Sequence, residues 1–573
     1  MSISDRRWQI YPEHRSLAEK IALKLRKSPL LAQVLLNRKL HSLEDMLFFI
    51  GQISTDSSEP SHTMMHPDMD RLTEAAQLVH GHIQKQSKIL IYGDYDVDGV
   101  TSTTLLTWAL REVGATVDYH IPHRFTEGYG LSTKILDKLK QNQYGLLITL
   151  DCGISNELEI RTFKEALPID VLIMDHHTIP DVLPPADAII NPKFLSPDHP
   201  NYHLCSAGIA YQFMAFYRHY YKLDFPLEDH LDLVALGTIA DVAPLTGNNR
   251  LLTQKGLDIL SRKGRAGLFE LLDIAGHKKE AVSVRDVGFT IAPRLNAAGR
   301  LEHGKIGVEL LLASDTRLCR DLAWQLQKTN EKRQLICATI LDDAVAKAEA
   351  EFDPETDKIL VLSGNNWHAG VIGITASQLV RKWARPVVLI AHDGQHGRGS
   401  ARSVGGVNIY RYLKQASHLL EEFGGHKEAA GFSILADRIS EFKTVLRGLC
   451  NDQITIEELL PVLEIDAKVA ATELTLELAQ ELAALEPFGS ANPTPIFYTD
   501  ELRAVDFKTV GNGNHLKMTL TDAKNKVAID AIGFDLSSKI ELLYKDHLEL
   551  AFNLDINQWL GKESLQLQIL DIK

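Results

Sequence analysis

Apolar residues in the first third of the chain gather in short unbroken runs: Ile89-Leu90-Ile91-Tyr92, Leu146-Leu147-Ile148-Thr149-Leu150 and Val171-Leu172-Ile173-Met174. Such runs, separated by amphipathic stretches, predict strands of a parallel sheet covered on both faces. The alternation holds from about Met69 to Ala243, with a helix over Thr101–Val113 closed by Gly114. Residues 1–50 predict helices, on the spacing of Leu17, Ile21 and Leu25 and of Leu31, Val34 and Leu35; polar residues 51–66 predict a loop. Asp321 to Ala350 holds no Gly or Pro, and Cys337, Leu341, Ala344 and Ala348 recur at helical spacing, which predicts one long helix joining two bodies. A second α/β unit is expected from Lys358 to Cys450, with strands at Ile359–Leu362 and Pro386–Ile390. Beyond it Leu516-Lys517-Met518-Thr519-Leu520 alternates with period two behind the turn signal Gly511-Asn512-Gly513-Asn514, which predicts a small β-barrel.

The pattern divides the chain into a helical segment (1–68), an α/β domain with a parallel-rich sheet (69–304), a connecting helix (305–350), a second α/β domain (351–455) and a C-terminal barrel (456–573). A net charge of -14 argues against a protein that coats nucleic acid nonspecifically, but leaves room for a local basic channel. No apolar stretch approaches the ~18 residues that span a bilayer. Met1-Ser2-Ile3-Ser4-Asp5-Arg6-Arg7 has no apolar run behind its basic pair, so no signal peptide is expected. Five scattered cysteines without a CxxC pair fit small core residues in a reducing compartment, the cytoplasm.

Each apolar run stops at candidate ligands. The first leads into Asp94, Asp96 and Asp98, the second into Asp151, and the third into Asp175-His176-His177. Ligand sites of open α/β sheets lie outside the carboxyl ends of the strands, so three strand ends deliver oxygen and imidazole donors to one edge. Asp94 to Gly99 matches the opening of an EF-hand loop, but its twelfth position is Leu105 and a strand precedes it, so that reading fails. Taken singly, three close aspartates make a solvated turn, and a histidine pair need ligate nothing. Asp241, following the helical run Leu231 to Ala240, adds a further carboxylate. Five crowded carboxylates repel unless cations sit among them; two divalent ions leave about -1. Oxygen-rich ligation with one imidazole suits Mn²⁺ or Mg²⁺, and a pair of such ions suits hydrolysis of a phosphoester. Asp151, at the middle strand tip, is the candidate bridging ligand. No G-x-x-x-x-G-K-[ST] loop appears, which disfavours NTP-driven work.

These motifs resemble the DHH phosphoesterase superfamily, named for the triplet that stands here as Asp175-His176-His177. Within it the chain is most similar to the RecJ family of bacterial single-strand-specific 5′→3′ DNA exonucleases. The resemblance rests on Tyr92-Gly93-Asp94-Tyr95-Asp96-Val97-Asp98-Gly99, Leu150-Asp151-Cys152-Gly153, Asp241-Val242-Ala243-Pro244-Leu245 and Pro293-Arg294-Leu295-Asn296-Ala297-Ala298-Gly299-Arg300. In the second α/β unit, Gly424-Gly425-His426-Lys427-Glu428-Ala429-Ala430-Gly431 resembles a DHHA1 domain, and Trp367 to Gly373 and Gly399 to Ser403 resemble RecJ segments. The C-terminal portion resembles an OB fold.

The resemblance implies metal ligation by Asp94, Asp96, Asp98, Asp151, His176 and Asp241, with His177 facing the scissile phosphate and Asp175 orienting the ligands. Some branches of the superfamily place a histidine where Tyr92 stands; tyrosine is a poor Mn²⁺ ligand, and Asp94 is its candidate substitute. Substrate contacts are expected from Arg294, Asn296, Arg300, His368, Ser400, Arg402, Gly424, Gly425 and His426, with the second domain holding the 5′-terminal nucleotide. A tight turn explains the two glycines equally well, and Arg294 and Arg300 could equally be structural ion-pair partners. Phe497, Tyr498, Phe507, Phe534, Phe552 and Trp559 are available for base stacking or for filling the barrel. The activity implied is two-metal hydrolysis of single-stranded DNA to 5′-mononucleotides in repair and recombination. Single-stranded-DNA-binding protein and a helicase are the implied partners, and no membrane is. The rivals are a phosphodiesterase for short oligonucleotides or cyclic dinucleotides, usually shorter and without a barrel, and an inactive DHH scaffold, which would have lost acidic ligands.

Overall fold

The computed structural model describes residues 6–52, 69–128, 130–278, 281–524, 526–559 and 561–573, without the side chains of Lys263 and Trp559. The chain divides into two compact units: Thr55–Leu335 with Pro487–Pro493, and Met1–Ser54 with Ile336–Glu486 and Thr494–Lys573. From residue 53 on, the loop expected over 51–66 lies outside the described residues.

The first unit is built on β1 (Lys88–Gly93), β2 (Thr116–His120), β3 (Tyr144–Leu150), β4 (Asp170–Met174) and β5 (Ala188–Ile190). They pair in the order β2-β1-β3-β4-β5, all parallel. Successive side chains point to opposite faces, so β1 sends Ile89 and Ile91 into one apolar cluster and Leu90 and Tyr92 into another. Both faces are covered, which is why the runs are unbroken. The chain leaves β1 toward β2 on one side and returns to β3 on the other. This switch opens a crevice at the carboxyl ends of β1 and β3.

The helix expected from Thr101 starts four residues earlier, over Val97–Glu112, because the Asp96 side chain caps it by accepting the Gly99 N–H at 3.1 Å. It runs through the core with several of its hydroxyls satisfied by its own backbone. The hydroxyls of Thr101, Ser102 and Thr104 donate to the carbonyls of Val97, Asp98 and Val100 at 2.8, 2.7 and 2.7 Å. Residues 305–350 are two helices rather than one, Lys305–Leu312 and Thr316–Glu351. They part where Asp315 accepts the Leu318 N–H at 2.8 Å, a side-chain bond that starts a new helix.

In the second unit, β6 (Leu360–Asn365), β7 (Val387–His392), β8 (His396–Arg402), β9 (Glu422–Gly425) and β10 (Ala429–Leu435) pair in the order β9-β10-β8-β7-β6. The barrel consists of β11 (Phe497–Val510), β12 (His515–Asp522), β13 (Ala528–Gly533), β14 (Leu548–Trp559) and β15 (Lys562–Ile572). It closes as β11-β12-β13-β15-β14-β11 around Phe497, Met518, Phe552 and Leu567. The expected turn lies between β11 and β12, with Gly511, Asn512 and Gly513 at φ 60°, 56° and 86°.

The N-terminal region is not wholly helical. Arg7–Ile10 is a strand paired in parallel with Val462–Ile465, and the Trp8 indole N–H donates to Asp571 at 2.8 Å. A partner so distant along the chain leaves no mark on local periodicity. Helices Arg15–Leu25, Pro29–Asn37 and Leu43–Phe49 follow. All five cysteines are buried. Among the described residues no helix is long and apolar enough to cross a membrane.

Candidate metal centre

The crevice at the ends of β1, β3 and β4 gathers the expected ligands. Asp94 and Asp96 follow β1, and Asp98 sits in the first turn of Val97–Glu112. Asp151 follows β3 in the left-handed region (φ 62°), which turns the chain back over the strand end. Asp241 ends the helix Leu231–Ala240. Donor atoms of Asp94, Asp96 and Asp151 lie within 4.8 Å of one another, and so do those of Asp98, His176 and Asp241. The two groups meet where His176 Nε2 stands 3.0 Å from Asp151 Oδ1.

Second contacts hold this arrangement. Asp98 receives the Ser206 and Ala207 N–H groups at 2.6 and 2.9 Å, so its carboxylate sits on the amino terminus of the helix Ser206–Tyr220. Ser206 Oγ also reaches Asp151 at 3.3 Å. Asp175 accepts the Ile154 N–H at 3.0 Å and lies 2.7 Å from His177 Nδ1. Gly237 allows the close packing, because a Cβ there would lie 2.6 Å from Asp98 Oδ1. Tyr92 is fully buried and donates to the Gly130 carbonyl at 2.9 Å, which leaves it no place among the ligands.

The charges are held at a cost. Burial, then the neighbouring Asp96, pushes Asp94 up to about 8. Burial, then Asp98, pushes Asp241 up to about 8. Burial and the surrounding carboxylates raise Asp98 and Asp151 too. Burial acts to lower His177, yet its bond to Asp175 and the nearby carboxylates outweigh that and hold it at about 9. Among the described residues Asp94 Oδ1 is buried without a hydrogen-bond partner. An orphaned carboxylate oxygen among mutually repelling oxygens is what a hard divalent cation satisfies, and this donor set fits two of them.

The expected substrate residues fall into two groups. In the first unit, Arg294, Asn296 and Arg300 lie on the helix Ala292–Leu301. That helix packs against the Asp94–Asp96 loop, since a Cβ on Gly299 would stand 2.4 Å from the Tyr95 carbonyl oxygen. Arg294 is partly occupied, donating to Gln327 Oε1 at 2.8 Å and to the Thr290 carbonyl at 2.6 Å. In the second unit Ser400 and Arg402 lie on β8, 3.0 Å apart through the guanidinium. They face the first turn of the helix Ile372–Trp383, where a Cβ on Gly373 would meet Arg402 Nη2 at 2.8 Å and Ser400 Oγ at 2.9 Å. His368 precedes that helix and accepts the Gly370 N–H at 3.1 Å. Gly424 pairs across β10 with Gly431, which in turn pairs with Ser400, so the glycine motif sits on the same sheet. Gly425 (φ 143°) needs its missing Cβ, which would lie 2.4 Å from the Ala429 carbonyl; His426 is exposed beside it. Of the six barrel aromatics, Phe497 and Phe552 are core, Phe534 is 49% exposed, and the Trp559 side chain lies outside the described residues.

Sequence reasoning missed Ser206 and Ala207. A serine before an apolar helical run marks a helix start, but nothing local says that Asp98, far earlier in the chain, fills its amino terminus.

A model of the DHH family, N-terminal domain, matches residues 88–238, one of the DHHA1 domain matches 356–452, and one of the RecJ OB domain matches 465–571. The single-stranded-DNA-specific exonuclease RecJ of Haemophilus influenzae is 36% identical over 554 residues, 92% of this chain and 96% of that protein. The chain belongs to the RecJ family. RecJ of Escherichia coli is 32% identical over 587 residues, covering 98% of each chain. RecJ of Bacillus subtilis is 33% identical over the full chain and 71% of its own length. The crystal structure of RecJ from Thermus thermophilus in complex with Mn²⁺ superposes with a TM-score of 0.83 at 29% identity, covering 99% of this chain and 79% of that one. RecJ from the same source has also been solved with Mg²⁺.

Proposed function

We infer that this RecJ-family chain is a metal-dependent exonuclease that hydrolyses single-stranded DNA from its 5′ end and releases 5′-mononucleotides, in DNA repair and recombination. The observation that carries the reading is the pair of three-ligand groups, Asp94/Asp96/Asp151 and Asp98/His176/Asp241, joined through the Asp151–His176 contact. Two divalent cations, Mn²⁺ or Mg²⁺, bound by these six residues supply the positive charge that stabilises the oxygens of an in-line displacement at phosphorus.

The remaining steps belong to the chain's own groups. Asp151 belongs to the first group and touches His176 of the second, and the Ser206–Tyr220 helix end keeps Asp98 in register with them. His177, turned by Asp175, presents its other ring nitrogen to the scissile phosphate and carries the proton that the departing oxygen needs. Arg294, Asn296 and Arg300 hold the strand beside the centre. Ser400, Arg402, His368, Gly424, Gly425 and His426 hold the terminal nucleotide, Arg402 as a two-pronged phosphate donor. Holding the 5′ end at that place makes cleavage proceed 5′→3′. A single-strand substrate calls for a helicase and a single-stranded-DNA-binding protein to prepare it, and five scattered, buried cysteines without a CxxC pair favour the cytoplasm.

The test is digestion of single and double strands carrying a 5′ or a 3′ label, with Mn²⁺, with Mg²⁺ and with chelator. The 5′ label should leave first, as mononucleotide, from single strands alone and only with metal. Release of the 3′ label first, or activity in chelator, overturns the reading.

A further inference from the structure

The helix that carries Arg294, Asn296 and Arg300 begins in a π-helical turn, Val287–Ile291, an uncommon geometry that recurs at functional sites. Val287, Ile291, Ala292, Leu295 and Ala298 of this run are buried, whereas Phe289, Pro293, Asn296 and Arg300 are not. Their spacing of four, three and four residues puts them on one face. Phe289 is 75% exposed, more than any other described phenylalanine, and the Arg285 guanidinium carbon stands 5.8 Å from its ring centroid. A bare phenyl ring beside a cation, on the face that continues to Asn296 and Arg300, has the chemistry of a nucleobase platform rather than of an apolar docking patch.

We propose that Phe289 stacks an unpaired base of the substrate strand on the 3′ side of the metal centre, with Arg285 on the adjoining phosphate. This rests on the exonuclease reading and adds to it a subsite that governs how a long strand is held. Eleven residues of helix separate Phe289 from Arg300, about 16 Å. At the ~3.4 Å per nucleotide of a stacked strand, the platform meets a base at most about five nucleotides from the one that Arg300 meets.

The experiment compares wild type with Phe289→Ala, Phe289→Leu and Phe289→Tyr on oligothymidylates, from a dinucleotide to a strand of about twenty residues. Wild-type digestion of the long strand is established first, so a failed exonuclease reading is recognised before the variants are compared. The alanine and leucine variants should raise KM for the long strand by about tenfold, the worth of one stacked base, with kcat unchanged. The tyrosine variant should restore KM, and all four proteins should share one KM on the dinucleotide. A long-strand KM unmoved in Phe289→Ala, as a protein-docking role for this ring and the exposed Phe269 would give, overturns the proposal. So does a leucine variant equal to wild type, or a dinucleotide KM that rises in parallel.

Discussion

Replacing Asp94 by asparagine is expected to stabilise the metal-free protein at neutral pH while destroying its activity. Asp94 carries a buried oxygen without a partner, and its pKa rises from an ordinary 3.8 to about 8. Below about pH 4 the carboxyl is protonated in both the folded and the unfolded chain, so it costs nothing. As pH climbs from 4 toward 8 the unfolded chain releases the proton and the folded chain keeps it, so stability falls; above 8 the loss is complete. At pH 7 the difference spans about three pH units, or about 4 kcal/mol at 1.36 kcal/mol per unit, an upper figure because neighbouring carboxylates share the strain. Asparagine is neutral throughout and escapes this loss. Melting curves of both proteins in chelator between pH 4 and 8 measure it: the variant should melt higher at pH 7, with an advantage that shrinks toward pH 4. Adding Mn²⁺ should stabilise the wild type more than the variant. A variant that melts lower than wild type in chelator at pH 7, or an advantage independent of pH, refutes the reasoning.

Gly237→Ala places a Cβ 2.6 Å from Asp98 Oδ1 and 2.9 Å from the Ala207 Cβ, so it should cost about 1–3 kcal/mol and lower kcat by displacing a ligand. Melting and steady-state rates test it, and a normal kcat would show that Asp98 tolerates the shift. Asp175→Asn removes the anion bonded to His177, leaving only Asp241 and Asp94 to raise the imidazole against its burial. The alkaline limb of the kcat/KM profile should therefore move to lower pH by about a unit or more; an unmoved limb removes the His177 proton from the reaction. Arg402→Ala should raise KM for single strands with kcat little changed, and an unchanged KM would clear Arg402 of strand capture.

The sheet and its acidic edge were legible because burial on both faces forces unbroken apolar runs, and because a strand end is where Asp94, Asp151 and Asp175 must emerge. Barrel alternation at Leu516–Leu520 was legible for the same local reason. Long-range fastenings were not. The strand Arg7–Ile10 depends on a partner near residue 465, and the anchoring of Asp98 depends on amide groups at residues 206 and 207. The break at Asp315 is a side-chain capping event within a stretch whose apolar spacing looks continuous on both sides. The exposed ring of Phe289 escaped notice because a phenylalanine in a helical pattern is read as core until its neighbours are placed.

The pairing of Arg7–Ile10 with Val462–Ile465 sets a schedule for the nascent chain. Both strands belong to one unit, with the metal-binding unit lying between them in the sequence. At ~5–20 residues per second the amino-terminal strand waits about 20–90 s for its partner to be made. During that interval the Trp8 indole lacks both its neighbouring strand and Asp571, and Pro29–Asn37 has little but the helix Arg15–Leu25 against it, which makes the newborn segment a natural client of chaperones.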